Sequence, residues 1–84
     1  MDNTADIYLD ITSPDTSLIG MMVGKVSLPG RAGRFTVLPG HAPMISSLSE
    51  GDIEYTAGRN TRTLHVKSGF VEVSENKVSV CVEI

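Results

Sequence analysis

The chain has 84 residues, 40% hydrophobic and 20% charged, which fits one folded domain over 1–84 and excludes a disordered chain. The formal net charge is -3 and the seven Lys and Arg are scattered, so neither a nucleic-acid surface nor a basic membrane patch is expected. Cys81 is the only cysteine, which rules out an internal disulfide and a cysteine-based zinc site and favours a reducing compartment.

The N-terminus, MDNTADIYLDI, is acidic and passes straight into alternation. It has neither the basic and apolar regions of a secretory signal nor the Arg-rich character of a transit peptide. No apolar run approaches the ~20 residues of a membrane-spanning helix, so the expectation is a soluble protein or one held at a membrane by a partner. Ile7, Leu9 and Ile11 share one face of a first strand, with Asp6, Tyr8 and Asp10 on the other. A period of two predicts one buried and one wet face. Ser13-Pro14-Asp15 predicts a turn. Met21 and Val23 are apolar at odd positions, Val26 and Leu28 at even ones. A β-bulge at Gly24 is expected to absorb the extra residue and bend the strand, as a sandwich corner needs.

Residues 26–45, VSLPGRAGRFTVLPGHAPMI, hold three Pro, three Gly and His41. Pro29-Gly30 and Pro39-Gly40 are turn signals. The segment is Gly-rich like a phosphate loop, but it has no Lys followed by Ser or Thr and no helix after it. It reads as shaped backbone for docking rather than catalysis, with Arg31 and Arg34 exposed on a turn. His41 lacks the nearby Asp, Glu or second His that catalysis or metal binding needs, and reads as a hydrogen-bonding interface residue.

Alternation then resumes in Ile53 and Tyr55, Leu64 and Val66, Val71 and Val73, and Val78, Val80 and Val82. Glu50-Gly51, Gly58-Arg59-Asn60 and Glu75-Asn76 separate these runs. Short strands at this spacing, without a helical stretch, predict an all-β sandwich or small barrel. Asp52 and Glu54 lie on a solvated strand face, and His65 is on the polar face of a distant strand. Cys81, opposite Val80 and Val82, reads as a small apolar filler. A parity shift at Gly69 puts Phe70 on the side of Glu72. Tyr8, Met22 and Phe70 are therefore expected on outer faces, either as an interface or as a second buried layer.

Together these residues resemble the N-terminal β-sandwich domain of the epsilon subunit of F-type ATP synthases, over nearly the whole chain. The resemblance rests on LDITSPD at 9–15, VSLPGRAGRFTVLPGHAP at 26–43, Gly51-Asp52-Ile53, and the closing hairpin SGFVEV with NKVSV after it. It implies a flattened sandwich of two five-stranded sheets, about ten strands in all. It implies a non-catalytic place in the central rotor stalk, between the gamma subunit and the c-ring, on the cytoplasmic face of a bacterial inner membrane. No cofactor and no small-molecule substrate are implied. His41, Ser46, Glu72 and Ser79 match positions facing gamma. Arg31, Ala32, Gly33 and Arg34 match the loop reaching the c-ring.

Arg34 stands where many family members carry an acid, so the c-ring partner should offer an acid or a carbonyl there. Thr36 replaces a common glycine, which predicts an ordinary strand angle. The C-terminal helix pair of many relatives has no counterpart in these residues, so coupling without self-inhibition is expected. The alternatives are a stand-alone adaptor docking through the Pro/Gly loop 29–43, and a small enzyme or metal binder built on His41.

Overall fold

The computed structural model describes residues 6–84, so the reading of residues 1–5 as leader-free lies outside the described residues. Nine strands follow one another: β1 Ile7–Thr12, β2 Ser17–Val23, β3 Lys25–Gly30, β4 Gly33–Val37, β5 Met44–Leu48, β6 Gly51–Ala57, β7 Asn60–Val66, β8 Ser68–Ser74 and β9 Lys77–Glu83. The all-β expectation holds. Among the described residues the strand count is nine rather than about ten, arranged as five and four. One layer runs β2-β1-β9-β8-β5 and the other β4-β3-β6-β7. They form one curled sheet through the pair Gly30 and Leu48 of β3 and β5. No tenth strand forms over 38–43, because Pro39 and Pro43 lack amide donors and the segment is used for a tight turn.

Strands β1 and β9 run parallel, with Leu9 opposite Val78 and Ile11 opposite Val80. The other pairings are antiparallel. The alternating residues meet as expected. Ile7, Leu9, Ile11, Ile53, Tyr55, Val66, Val71, Val73, Val78, Val80 and Val82 are all buried in one core between the layers. Leu64 packs on it, half-buried.

Gly24 is a corner rather than a bulge. It leaves β2 for β3, and its amide donates to the Thr56 carbonyl of β6 at 2.8 Å. A Cβ there would meet that oxygen at an ordinary 3.7 Å. Lys67 makes the matching corner between β7 and β8, its amide donating to the Glu83 carbonyl at 2.7 Å. A one-residue corner turns the chain between layers and switches parity without an extra residue inside a pair. The register irregularity of β1 and β2 falls instead between Ile11 and Thr12.

Pro29-Gly30, expected as a turn, is buried at the end of β3. The turn is Arg31-Ala32, because Gly30 pairs with Gly33. Segment 29–43 is accordingly a β-hairpin followed by a loop, not one loop. Only glycine fits at position 30: a Cβ would lie 2.7 Å from the Gly33 carbonyl oxygen and 2.9 Å from the Phe35 ring. Thr36 takes an ordinary strand conformation in β4, and its hydroxyl lies 2.8 Å from that of Ser27.

Candidate docking face, pinned loop and arginine hairpin

The outer face of the five-stranded layer is read off its registers. Ile45 lies opposite Glu72, Glu72 opposite Ser79, and Ser79 opposite Asp10. The next row sets Ser47 against Phe70 and Phe70 against Cys81. Phe70 is 55% exposed and Ile45 76% exposed. Tyr8 and Met22 are also on this face, opposite each other. Tyr8 lies over Gly20, where a Cβ would come 2.7 Å from its hydroxyl, and the Lys77 ammonium sits 6.0 Å from its ring centre. The three large residues expected outside are therefore outside. Cys81 is half-buried between Phe70 and Thr12, in a shallow depression that Asp10, Glu72 and Ser79 also line.

His41 lies in the loop 38–43. The amide of His41 donates to the Leu38 carbonyl at 3.0 Å, with Pro39 and Gly40 between them and Gly40 at φ +83°. This is a type II turn, in which proline presets the first central angle and glycine supplies the positive φ of the second. The His41 Nδ1 lies 2.7 Å from the Ala42 carbonyl. A carbonyl only accepts, so Nδ1 carries the proton in this contact. Asn76 holds the loop from the β8–β9 turn, its Oδ1 accepting the Gly40 amide at 3.1 Å.

The loop runs into β5 beside Glu72: Pro43, Met44, Ile45, Glu72, Val73 and Ser74 line one open depression. The end of the loop at Pro43 shares this depression with Glu72, and Glu72 shares the neighbouring one with Ser79, so the three form one continuous surface, while His41 itself lines neither depression. Ser46 is not on this surface. It pairs with the buried Val71, lies half-buried on the inner side of β5, and donates to the Ser47 carbonyl at 3.0 Å. Ile45 takes the outward position that the sequence reading assigned to Ser46. The pair Met44 and Ile45 carried the signal: on a strand, two consecutive apolar residues cannot both face the core.

Arg31, Ala32, Gly33 and Arg34 are exposed on the β3–β4 hairpin, at the far end of β5 from His41. The hairpin is anchored there. The Arg31 amide donates to the Ser47 carbonyl at 3.0 Å, and Ser49 donates to the Pro29 carbonyl through its amide at 2.8 Å and its hydroxyl at 3.2 Å.

His65 is far from His41, on the four-stranded layer. Its Nδ1 is 2.8 Å from Asp52 and its Nε2 3.1 Å from Glu50. Both partners are carboxylates, so both nitrogens donate when the ring is protonated. The hydrogen bond to Asp52, and after it that to Glu50, raises the His65 pKa above its ordinary value. Among the described residues no group of three or more His, Cys, Asp or Glu is placed to hold a metal ion. No helix of the described residues is long and apolar enough to cross a membrane.

The fold has counterparts. A family model for the beta-sandwich domain of the ATP synthase delta/epsilon chain matches residues 6–84. The ATP synthase epsilon chain of Nitratidesulfovibrio vulgaris strain Miyazaki F is 42% identical over 77 residues, covering 92% of this chain and 58% of that protein. The epsilon chain of Koribacter versatilis is 38% identical over 80 residues, covering 94% and 56%. The chain therefore spans a little over half the length of these relatives. A chain of the Euglena gracilis mitochondrial ATP synthase superposes with a TM-score of 0.88 at 25% identity, covering 93% of this chain and 51% of that one. One from the Tetrahymena thermophila mitochondrial ATP synthase gives 0.81 at 9% identity, covering 99% and 67%, a likeness of fold alone. With its nine-stranded sandwich and the loop and hairpin just described, the chain belongs to the delta/epsilon family of ATP synthase subunits, as its β-sandwich domain.

Proposed function

We propose that this chain is a non-catalytic coupling element of a rotary ATP synthase stalk. It joins the gamma subunit to the c-ring, so that ion-driven rotation is transmitted to ATP synthesis without slip. It sits on the cytoplasmic face of a bacterial inner membrane, held there by its partners. The observation that supports this reading is the presence of two separate exposed surfaces on one sandwich. The His41 loop with Ile45, Phe70, Glu72 and Ser79 forms one surface, and the Arg31–Arg34 hairpin forms the other. The ends of β5 that separate them are about 14 Å apart at the rise of an extended strand. The hairpin is tied to the neighbouring strands by the Arg31 and Ser49 amides and the loop to the β8–β9 turn by the Asn76 side chain, which suits an element that must transmit torque. The Euglena relative was solved in an assembly that contains a c-ring, which supports the same reading.

Gamma is assigned the loop face and the c-ring the arginine hairpin, where Arg31 and Arg34 make no salt bridge with the described residues. The partner loop of the c-ring then presents carboxylates or carbonyls. Every element of the described residues is a strand, so the coupling role is assigned to the sandwich itself.

The test is capture of gamma from the same organism by this chain, with and without the c-ring. Binding to gamma that is strengthened by the c-ring, and reduced by Arg31→Glu with Arg34→Glu only when the c-ring is present, is expected. Failure to bind folded gamma would leave an adaptor for another protein as the better reading.

A further inference from the structure

The curled sheet is closed on one side by β5 and β3, with β4 an edge strand beside β3, and ends on the other side in the free edges of β2 and β7. Edge strands usually carry a guard, such as a lysine, a proline or an inward charge, because their unpaired amides and carbonyls invite another strand. Strand β2, SLIGMMV, has neither charge nor proline in its seven residues; its one irregularity is a bulge at Leu18, where Ile19 pairs with Ile11 and Ser17 with Thr12, so Gly20–Val23 is the regular part of the free edge. Leu18 and Met22 stand exposed on its outer face, while Ile19 and Met21 are half-buried on its inner face. Strand β7 is guarded. Arg62 lies opposite the buried Tyr55 and so points to the inner side of the sandwich at that edge.

Between the two edges is an open cavity of about 320 Å³ lined by Met21, Tyr55, Ala57, Asn60 and Arg62. Its floor is apolar and its rim is an amide and a guanidinium. Arg62 brings a positive charge to that rim, Arg59 lies in the β6–β7 turn next to Asn60, and neither makes a salt bridge with the described residues; Lys25, opposite Thr56, is on the outer face of the layer. In a chain of net charge -3, this is a local positive charge beside an edge that carries no charge of its own.

We propose that β2 is a strand-addition site for an extended acidic segment of another protein. The segment pairs its backbone with the free edge of β2. Its inward apolar side chain rests on Met21, Tyr55 and Ala57, and an acidic side chain meets the Arg62 guanidinium. A second copy of this chain fits less well, because it would bring a second cationic rim towards the first. The site is distinct from the loop face and the arginine hairpin and does not depend on the rotor reading.

The probe is an acetylated eight-residue peptide alternating valine and glutamate, with a lysine-for-glutamate peptide as control. Amide shifts on titration into the 84-residue chain should concentrate in 17–23 and 57–62, with slowed exchange along β2. Arg62→Glu should weaken the acidic peptide about tenfold, the scale of one charge-assisted hydrogen bond, and strengthen the lysine peptide. Leu18→Lys, at an exposed site that leaves the core intact, adds a guard charge beside the edge and should reduce pairing of the lysine peptide further. Shifts confined to the Phe70 face, affinity unchanged by Arg62→Glu, or a dimer in solution that protects β2 would each overturn the proposal.

Discussion

The side-chain oxygen of Asn76 accepts the Gly40 amide at 3.1 Å while its side-chain nitrogen donates to the Asp6 carbonyl at 2.5 Å. Its own carbonyl accepts the Tyr8 amide at 3.2 Å. One residue in a tight turn thus ties the closing hairpin, the entry of β1 and the loop that carries His41. It can do so because Asn76 sits at φ +62°, a left-handed conformation that asparagine tolerates better than most residues. Asn76→Ala loses the side-chain hydrogen bonds and strains the backbone, and should cost about 2–3 kcal/mol in urea unfolding. Asn76→Gly keeps the backbone conformation and should cost about 1 kcal/mol. Both variants should speed hydrogen exchange at the Gly40 amide; unchanged exchange there would mean that the loop is held by other contacts.

Glu75 occupies the other central position of the same two-residue turn at φ +50°, and Ser74 and Lys77 pair across it. Two positive φ values define the type I′ turn, which favours Asn-Gly or Gly-Gly. Glu75→Gly should raise stability by about 0.5–1 kcal/mol, or a few degrees in Tm for a domain of this size. A fall in Tm would show that the Glu75 side chain contributes more than its strain costs.

Gly30 and Gly69 are fixed by close approach. A Cβ at Gly69 would meet the Cys81 carbonyl oxygen, and one at Gly30 the Gly33 oxygen and the Phe35 ring. Gly30→Ala should destabilise by about 2 kcal/mol and loosen the arginine hairpin, read as faster exchange of the Arg31 amide. By contrast, Gly24→Ala finds ordinary contact distance and should be nearly neutral.

His65 supplies the pH dependence. Its folded pKa is raised by Asp52 and then Glu50 above the ordinary value of 6.5. The ion-paired form therefore adds stability that is fully present below 6.5 and is lost as pH rises through the folded pKa. Thermal melts across this range should show Tm falling toward alkaline pH, and His65→Gln should flatten that component. NMR titration of the His65 ring gives the folded pKa directly; a value at or below the ordinary one would remove this explanation.

On the proposed docking face, Ile45→Asp and Glu72→Arg change exposed residues and should leave the melting curve within about 0.5 kcal/mol of the original. Each should weaken capture of gamma about tenfold or more if it lies at the centre of the contact. His41→Asp tests the loop in the same way. Ser46→Ala, on the inner side of β5, should leave capture unchanged.

The sequence by itself determined which side of most strands is buried, because a period of two leaves a strand only two faces and apolar side chains select one. Val71, Val73, Val78, Val80 and Val82 are buried as alternation requires, and Phe70 is outside with Glu72. The motifs in 26–43 and the closing hairpin also pointed to the family. Only the tertiary structure decided which strands meet. The parallel pairing of β1 with β9 joins the two ends of the described chain, and no local pattern encodes a contact at that separation. It also decided that Ile45 rather than Ser46 faces outward, that Gly24 and Lys67 turn corners between layers, and that β2 is left as a free edge. These are properties of packing between distant segments, where burial of the shared core outweighs local preference.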